Sequence, residues 1–185
     1  MPDHRASITI AAPVHQVYAL FGRFGDYPKF MSFVKDVQFV DERTTRWTVD
    51  IAGPHTWTAV NDMWIPDKQI GWHSIDGFRN SGSVEFTALG AERTQVDVKI
   101  DYEPPAGPIG LAGELLGIGA AFEAALQRDL NAFATIVEAA PRGGLDANSS
   151  AYVLGNDRPL TEPPPRGDDD VPIVPGTSRA SREAL

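Results

Sequence analysis

The sequence predicts an α+β domain in which an antiparallel sheet of about seven strands carries one long helix. Three observations predict it. Apolar and polar residues alternate with period two in short segments separated by Gly, Pro and Asp, the pattern of hairpin-linked strands with one buried and one wet face. Two short helical segments follow the first strand. A proline-free stretch from Glu114 to Ala139 carries an apolar stripe at helical spacing. A helix of that kind at the end of the ordered pattern must lay its stripe on the sheet.

The elements follow in order. Ala6–Ile10 alternates as a strand, and Ala11-Ala12-Pro13 opens a helix, proline being suited to a first turn. Val14, Val17, Tyr18, Leu20 and Phe21 form its apolar face, which Gly22 and Gly25 interrupt. Asp26–Met31 is a second short helix or turn. Strands are expected over Val34–Val40, Arg46–Ile51, Thr56–Trp64, Gln69–Ile75, Gly82–Leu89 and Thr94–Tyr102. Gly53-Pro54, Pro66-Asp67-Lys68, Asp76-Gly77 and Gly90-Ala91 make the turns. Pro104-Pro105 stops the last strand. On the long helix Leu115, Ile118, Phe122, Leu126, Leu130, Phe133 and Val137 line one side, and Glu123, Gln127, Arg128, Asn131 and Glu138 the other.

The chain has 185 residues and a formal net charge of −9. A field of that sign repels phosphate backbones and anionic lipid, so nucleic acid is not an expected partner. There is no cysteine, which removes disulfides, thiolate metal sites and cysteine nucleophiles. The longest stretch without Asp, Glu, Lys or Arg, Ala6–Gly22, has 17 residues and is interrupted by Pro13, against the roughly twenty of a membrane span. The N-terminus leads into a strand without an apolar signal core. The expectation is a cytoplasmic protein.

Composition changes at Pro141. Residues 141–185 hold seven of the fifteen prolines, one aromatic residue (Tyr152), the run Pro163-Pro164-Pro165 and the run Asp168-Asp169-Asp170. So little apolar area cannot offset the entropy of ordering. The expected division is a ligand-binding domain over 1–140 and a Pro-rich disordered tail over 141–185. The tail is a solubilising spacer or a polyproline docking segment for a protein partner.

Three places carry a resemblance. Ile10-Ala11-Ala12-Pro13-Val14-His15-Gln16-Val17-Tyr18 ends a strand in Ala-Pro before a helix with an aromatic. Phe24-Gly25-Asp26-Tyr27-Pro28-Lys29-Phe30-Met31 is an aromatic-Pro-x-Phe segment. Pro66-Asp67-Lys68 is a turn followed far downstream by the long helix. This ordered set, over about residues 5–140, resembles the START / Bet v 1-like superfamily, in the branch of polyketide cyclases/dehydrases and coenzyme Q-binding proteins. The resemblance implies a helix-grip fold, a curved antiparallel sheet wrapped around the C-terminal helix with the two short helices at one end. It also implies an apolar cavity between sheet and helix that carries lipids, quinones or other hydrophobic molecules, or folds polyketides into rings.

No catalytic pattern stands out. There is no Gly-x-Ser-x-Gly elbow. Gly117-Ile118-Gly119 lies within the expected helix and has Phe122 where a dinucleotide motif needs glycine. His4, His15, His55 and His73 have no partner at a metal-binding offset, so neither a metal nor another cofactor is expected. Asp62 lies among apolar neighbours and is the candidate proton acceptor or ligand anchor. In the aromatase/cyclases of the resembling branch, an arginine two residues before the turn proline is proposed to orient the polyketide; that position here is Trp64. A tyrosine and a second cavity arginine correspond to Val34 and Ser74. The donors that would polarise a carbonyl for ring closure are therefore replaced.

Parity from an inward Trp64 adds Thr58, Val60 and Asp62 to the cavity and sends Trp57 outward, unless a bulge falls near Gly53-Pro54 or Asn61. Neighbouring strands add Trp47, Val49 and Ile51; Ile70, Trp72 and Ser74; Val84 and Phe86; Val96, Val98, Ile100 and Tyr102. Val34 stands at the start of its strand. The helical segments supply Tyr27, Phe30, Met31, Leu115, Ile118, Phe122 and Leu126. Aromatic walls with few polar atoms suit a flat or long apolar ligand. The expected role is binding or carrying a lipid, an isoprenoid quinone or a polyketide-like aromatic. The alternatives are a cyclase/dehydrase with an altered site and a scaffold acting through the tail.

Overall fold

The computed structural model describes residues 3–51, 53–103 and 119–155, together with the backbone alone at Ile118. Seven strands form one antiparallel sheet: β1 Asp3–Ile10, β2 Val34–Phe39, β3 Thr44–Asp50, β4 Pro54–Asn61, β5 Gln69–Gly77, β6 Asn80–Gly90 and β7 Arg93–Tyr102. Their order is β1-β7-β6-β5-β4-β3-β2, so the meander from β2 to β7 is continuous and β1 closes against its last strand. Between β1 and β2 lie the helix α1, Val14–Phe21, and a short 3-10 helix, Phe24–Lys29. The long helix α2, Ile118–Glu138, lies along the sheet against β1. This is the helix-grip arrangement expected from the sequence.

Local chemistry explains the elements. Pro13 sits one residue before α1 in extended conformation, and its carbonyl accepts the amides of Gln16 and Val17. Val17, Leu20 and Phe21 then bury one face. Register shifts lie between Val34 and Asp36 in β2 and between Thr58 and Ala59 where β4 meets β5. Such bulges add local bend and twist, as a sheet curled around a helix requires. Gly77 turns the chain with φ +80, and a Cβ there would strike the Thr56 carbonyl.

The apolar stripe of α2 divides along its length. Leu130, Phe133 and Val137 belong to tightly packed core, with Phe133 4.7 Å from both Phe21 and Phe30 between ring centroids. Phe122 and Leu126, two turns earlier, border open space.

Packed structure runs past Pro141, which corrects the expected start of a disordered tail. Residues 141–155 fold back in turns, and Tyr152 and Leu154 belong to the core cluster. The Tyr152 hydroxyl donates to Asp26 Oδ2 at 2.8 Å. Asp26 is fully buried and also receives Arg23 Nε at 3.1 Å and Lys29 Nζ at 2.8 Å. Arg23 stacks over the Tyr152 ring, 5.2 Å from its centroid. A low apolar fraction summed over 45 residues hid two well-placed anchors in the first fifteen. The polyproline and triple-aspartate runs lie outside the described residues.

Candidate functional site

A cavity opens between the concave face of the sheet, the 3-10 helix and the first turns of α2, partly open to the surface. Its volume is about 80 Å³, counted as the space open to the centre of a water molecule. The 3-10 helix and its exit contribute Phe24, Tyr27, Met31 and Phe33, and α1 contributes Phe21. Val34, Trp47, Val49, Ile51 and Trp57 come from the β2–β4 side. From β5 to β7 and the turns between them come Trp72, Phe78, Asn80, Val84, Val98, Ile100 and Tyr102; α2 supplies Phe122 and Leu126.

Each wall has a cause. On β3 and β4, Trp47 pairs directly with Trp57, and cross-strand partners share a face. The two indoles stack with planes 2° apart and centroids 5.9 Å apart. Trp72 lies over its cross-strand partner Gly82, where a Cβ would run into the indole. Asp129 on α2 accepts the backbone N–H of Ser32 at 2.7 Å and its hydroxyl at 2.8 Å, which fixes the segment holding Met31 and Phe33.

The polar atoms of the wall are largely occupied. Tyr27 donates its hydroxyl to the Phe21 carbonyl at 2.9 Å, and burial pushes its pKa well above the ordinary phenol value. Trp47 Nε1 donates to Thr45 Oγ1 at 2.9 Å. Trp72 Nε1 donates to Asn80 Oδ1 at 3.1 Å, and Asn80 Nδ2 donates to the Phe78 carbonyl at 2.9 Å. Trp57 Nε1 is buried and meets no acceptor among the described residues. The described wall carries no carboxylate, imidazole, ammonium or guanidinium. Behind it, His4 stacks on Tyr102 at 4.9 Å, stands edge-on to Phe122 at 5.4 Å, and places Nδ1 3.2 Å from Glu123 Oε1.

Thirteen expected lining residues are in the wall: Tyr27, Met31, Val34, Trp47, Val49, Ile51, Trp72, Val84, Val98, Ile100, Tyr102, Phe122 and Leu126. Leu115 lies outside the described residues, and the side chain of Ile118 is not described. Nine expected residues lie elsewhere, Thr58, Ile70 and Val96 among them. Phe30 is buried on Phe133 and Tyr27, deeper in the core. Phe86 lies one pleat beyond Val84, under α1, packed on Phe21 and Tyr18. Ser74 spends its hydroxyl on the Asn80 backbone N–H at 2.9 Å.

Val60, Asp62 and Trp64 fail together, because the parity that joined them does not exist. β4 ends at Asn61, so Trp64 stands in a loop and sets no face for the strand. Within β4 the buried residues are Trp57, Ala59 and Asn61, and Val60 takes the opposite face. Asp62 is exposed and pairs with His73 Nδ1 at 2.9 Å, so it is not a cavity acid. Trp64 packs against Phe24 at 5.5 Å, outside the cavity.

Trp57 is the main residue that the sequence reading placed on the wrong face. The signal for it was present. A hairpin turning at residues 51–53 pairs Asp50 with Pro54 and hence Trp47 with Trp57. Phe78 and Asn80 gave no such signal, since they sit at a strand junction, and His4 lies before the first alternating residues.

A curled seven-stranded sheet gripping a long helix over an apolar cavity defines a helix-grip fold. A START superfamily protein from Mycobacterium smegmatis shares the fold at 21% identity and TM-score 0.53, over 71% of this chain and 98% of that one. The chain belongs to the family described as polyketide cyclase / dehydrase and lipid transport, which residues 10–133 match. It is also similar to the Zhui aromatase/cyclase from Streptomyces sp. R1128, at 25% identity and TM-score 0.59 over 79% of this chain and 96% of that one. An uncharacterized 17.2 kDa protein of Streptomyces lincolnensis, from the melC2-rnhH intergenic region, is 30% identical over 100 residues, 53% of this chain and 67% of that protein.

Proposed function

We propose that this domain binds a compact, ring-bearing hydrophobic molecule in the cavity between sheet and α2, as a binder or carrier. The observation that carries the reading is the wall itself: stacked indoles and phenyl rings with no charged side chain among the described residues. Apolar walls supply affinity by removing ligand surface from water, at roughly 25 cal/mol per Å². Size narrows the class. Engineered apolar cavities of about 150 Å³ accept benzene, and this one has about 80 Å³. One ring fits if the walls give slightly, and a larger ligand must continue through the open side. The flat Trp47–Trp57 wall favours an aromatic ring system over a fully enclosed acyl chain.

A second reading, ring closure or dehydration, is favoured by the family and by the similarity to an aromatase/cyclase. Its candidate proton-handling group is Tyr102, whose ring stacks on His4. Docking through the polyproline run stays a sequence-based expectation. The test is native mass spectrometry of the purified full chain, then organic extraction of what it carries. A ring-bearing apolar molecule released at one per chain supports the reading. A chain that is empty as purified, and does not bind ethylbenzene or acetophenone afterwards, overturns it.

A further inference from the structure

One polar side chain stands where the apolar wall runs out to water. His55 pairs across the β3–β4 hairpin with Val49, and Trp57 follows it two residues on, so all three share the concave face of the sheet. The His55 ring lies 4.6 Å from Phe78 between centroids, tilted by 33°. Val49, Ile51, Trp57 and Phe78 all line the cavity, and Ile51, Phe78 and His55 are only half-buried. One ring nitrogen is committed. The Ile51 carbonyl can only accept, so Nε2 carries a proton and donates it there at 3.1 Å. In the neutral ring Nδ1 is then a lone-pair acceptor. It has no hydrogen-bond partner among the described residues and, unlike the Trp57 indole nitrogen, it is not buried. The Ile51 bond and the Phe78 contact hold this open acceptor at the edge of the wall.

We propose that His55 Nδ1 accepts a hydrogen bond from a hydroxyl group on the ring system that the cavity holds. The site then favours hydroxylated rings over rings that carry a methyl group in the same place. The tautomer sets the class: a carbonyl or ether oxygen would bring one acceptor to another and gain nothing, whereas a hydroxyl donates. Deeper in the cavity a hydroxyl would lose its water partners against apolar walls. At this edge it exchanges water for the imidazole while its ring stays against the indoles. The inference rests on the cavity-binding reading.

4-Ethylphenol and 4-ethyltoluene test it, since they differ only by a hydroxyl in place of a methyl group of similar size. Both are titrated against the full chain and against His55→Phe, with binding read by NMR at about pH 8, where an ordinary imidazole is neutral. His55→Phe keeps a ring on Phe78 and removes the acceptor. The variant should weaken 4-ethylphenol about fivefold more than 4-ethyltoluene, the factor for one neutral hydrogen bond. Equal weakening of both, or no change in either, overturns the proposal while leaving cavity binding intact. Neither probe binding the wild type removes the cavity reading and this inference with it. A second measurement needs no variant that must fold. In the wild type, 4-ethylphenol should move the His55 Nδ1 nitrogen resonance upfield of its position with 4-ethyltoluene, because the lone pair then accepts a proton donor. The same position with both probes overturns the proposal.

Discussion

Replacing Val98 with phenylalanine asks whether the space between sheet and helix is a cavity or a filled core. Val98 sits in the middle of β7, is 4% exposed, and lies in the cavity wall between the modest side chains of its cross-strand partners Ala6 and Val84. The change adds about four carbon atoms directed at a space of about 80 Å³. Each buried methylene contributes about 0.8 kcal/mol in transfer free energy, so filling the space offsets the lost rotamer freedom and small shifts of Phe122 and Leu126. The expected net change is within about 1 kcal/mol. In a close-packed core the same atoms would cost about 1–3 kcal/mol through displaced neighbours. Urea denaturation measures the difference. Ethylbenzene binding, measured in parallel, should fall at least tenfold, because the new ring occupies the ligand's place. A stability loss above about 2 kcal/mol, or undiminished binding, would refute the reasoning.

Tyr152→Phe keeps the ring over Arg23 but removes the hydroxyl from buried Asp26. With Arg23 and Lys29 still on that carboxylate, urea denaturation should show a loss of about 1.5 kcal/mol. Ending the chain after Ala140 also strips Leu154 from the core and should cost at least about 3 kcal/mol; an unchanged midpoint would show residues 141–155 to be dispensable. Burial pushes the pKa of both Tyr27 and Tyr152 upward. The folded chain therefore holds phenolic protons that the unfolded chain releases near its value of 10.0. The stabilisation is complete below that pH and falls above it by up to about 1.4 kcal/mol per pH unit per tyrosine. Urea midpoints across the alkaline range check this, and Tyr152→Phe should flatten the decline. Asp62→Asn should leave ethylbenzene affinity unchanged and stability within about 0.5 kcal/mol, because the carboxylate is solvated; a tenfold loss of binding would return Asp62 to the site.

The strand count, the hairpin-linked run of strands and the α2 stripe were legible because period-two and helical patterns survive wherever one face is buried. The cavity side of β3, β7 and α2 was legible for the same reason. Parity failed where it was carried beyond the end of a strand, from Trp64 into β4. Hairpin pairing, which needs only the turn position, places Trp57 beside Trp47. Composition misjudged residues 141–155 because an average over a segment is insensitive to one tyrosine meeting one buried aspartate. Ser74 and Phe86 have the right parity, yet local partners take them out of the cavity, a hydroxyl-to-backbone bond for one and the cover of α1 for the other. Neither contact is written in strand periodicity.

The central claim is that an apolar ring binds inside this cavity and not on the outer surface. The direct measurement is a set of intermolecular NOEs between ethylbenzene and the methyl groups of the full chain. Val49, Val84, Val98, Ile100 and Leu126 line the cavity, while Val40, Ile75 and Leu89 are more than half exposed outside it. The account predicts NOEs from the ring to the first set and none to the second. NOEs confined to Val40, Ile75 or Leu89 would contradict it.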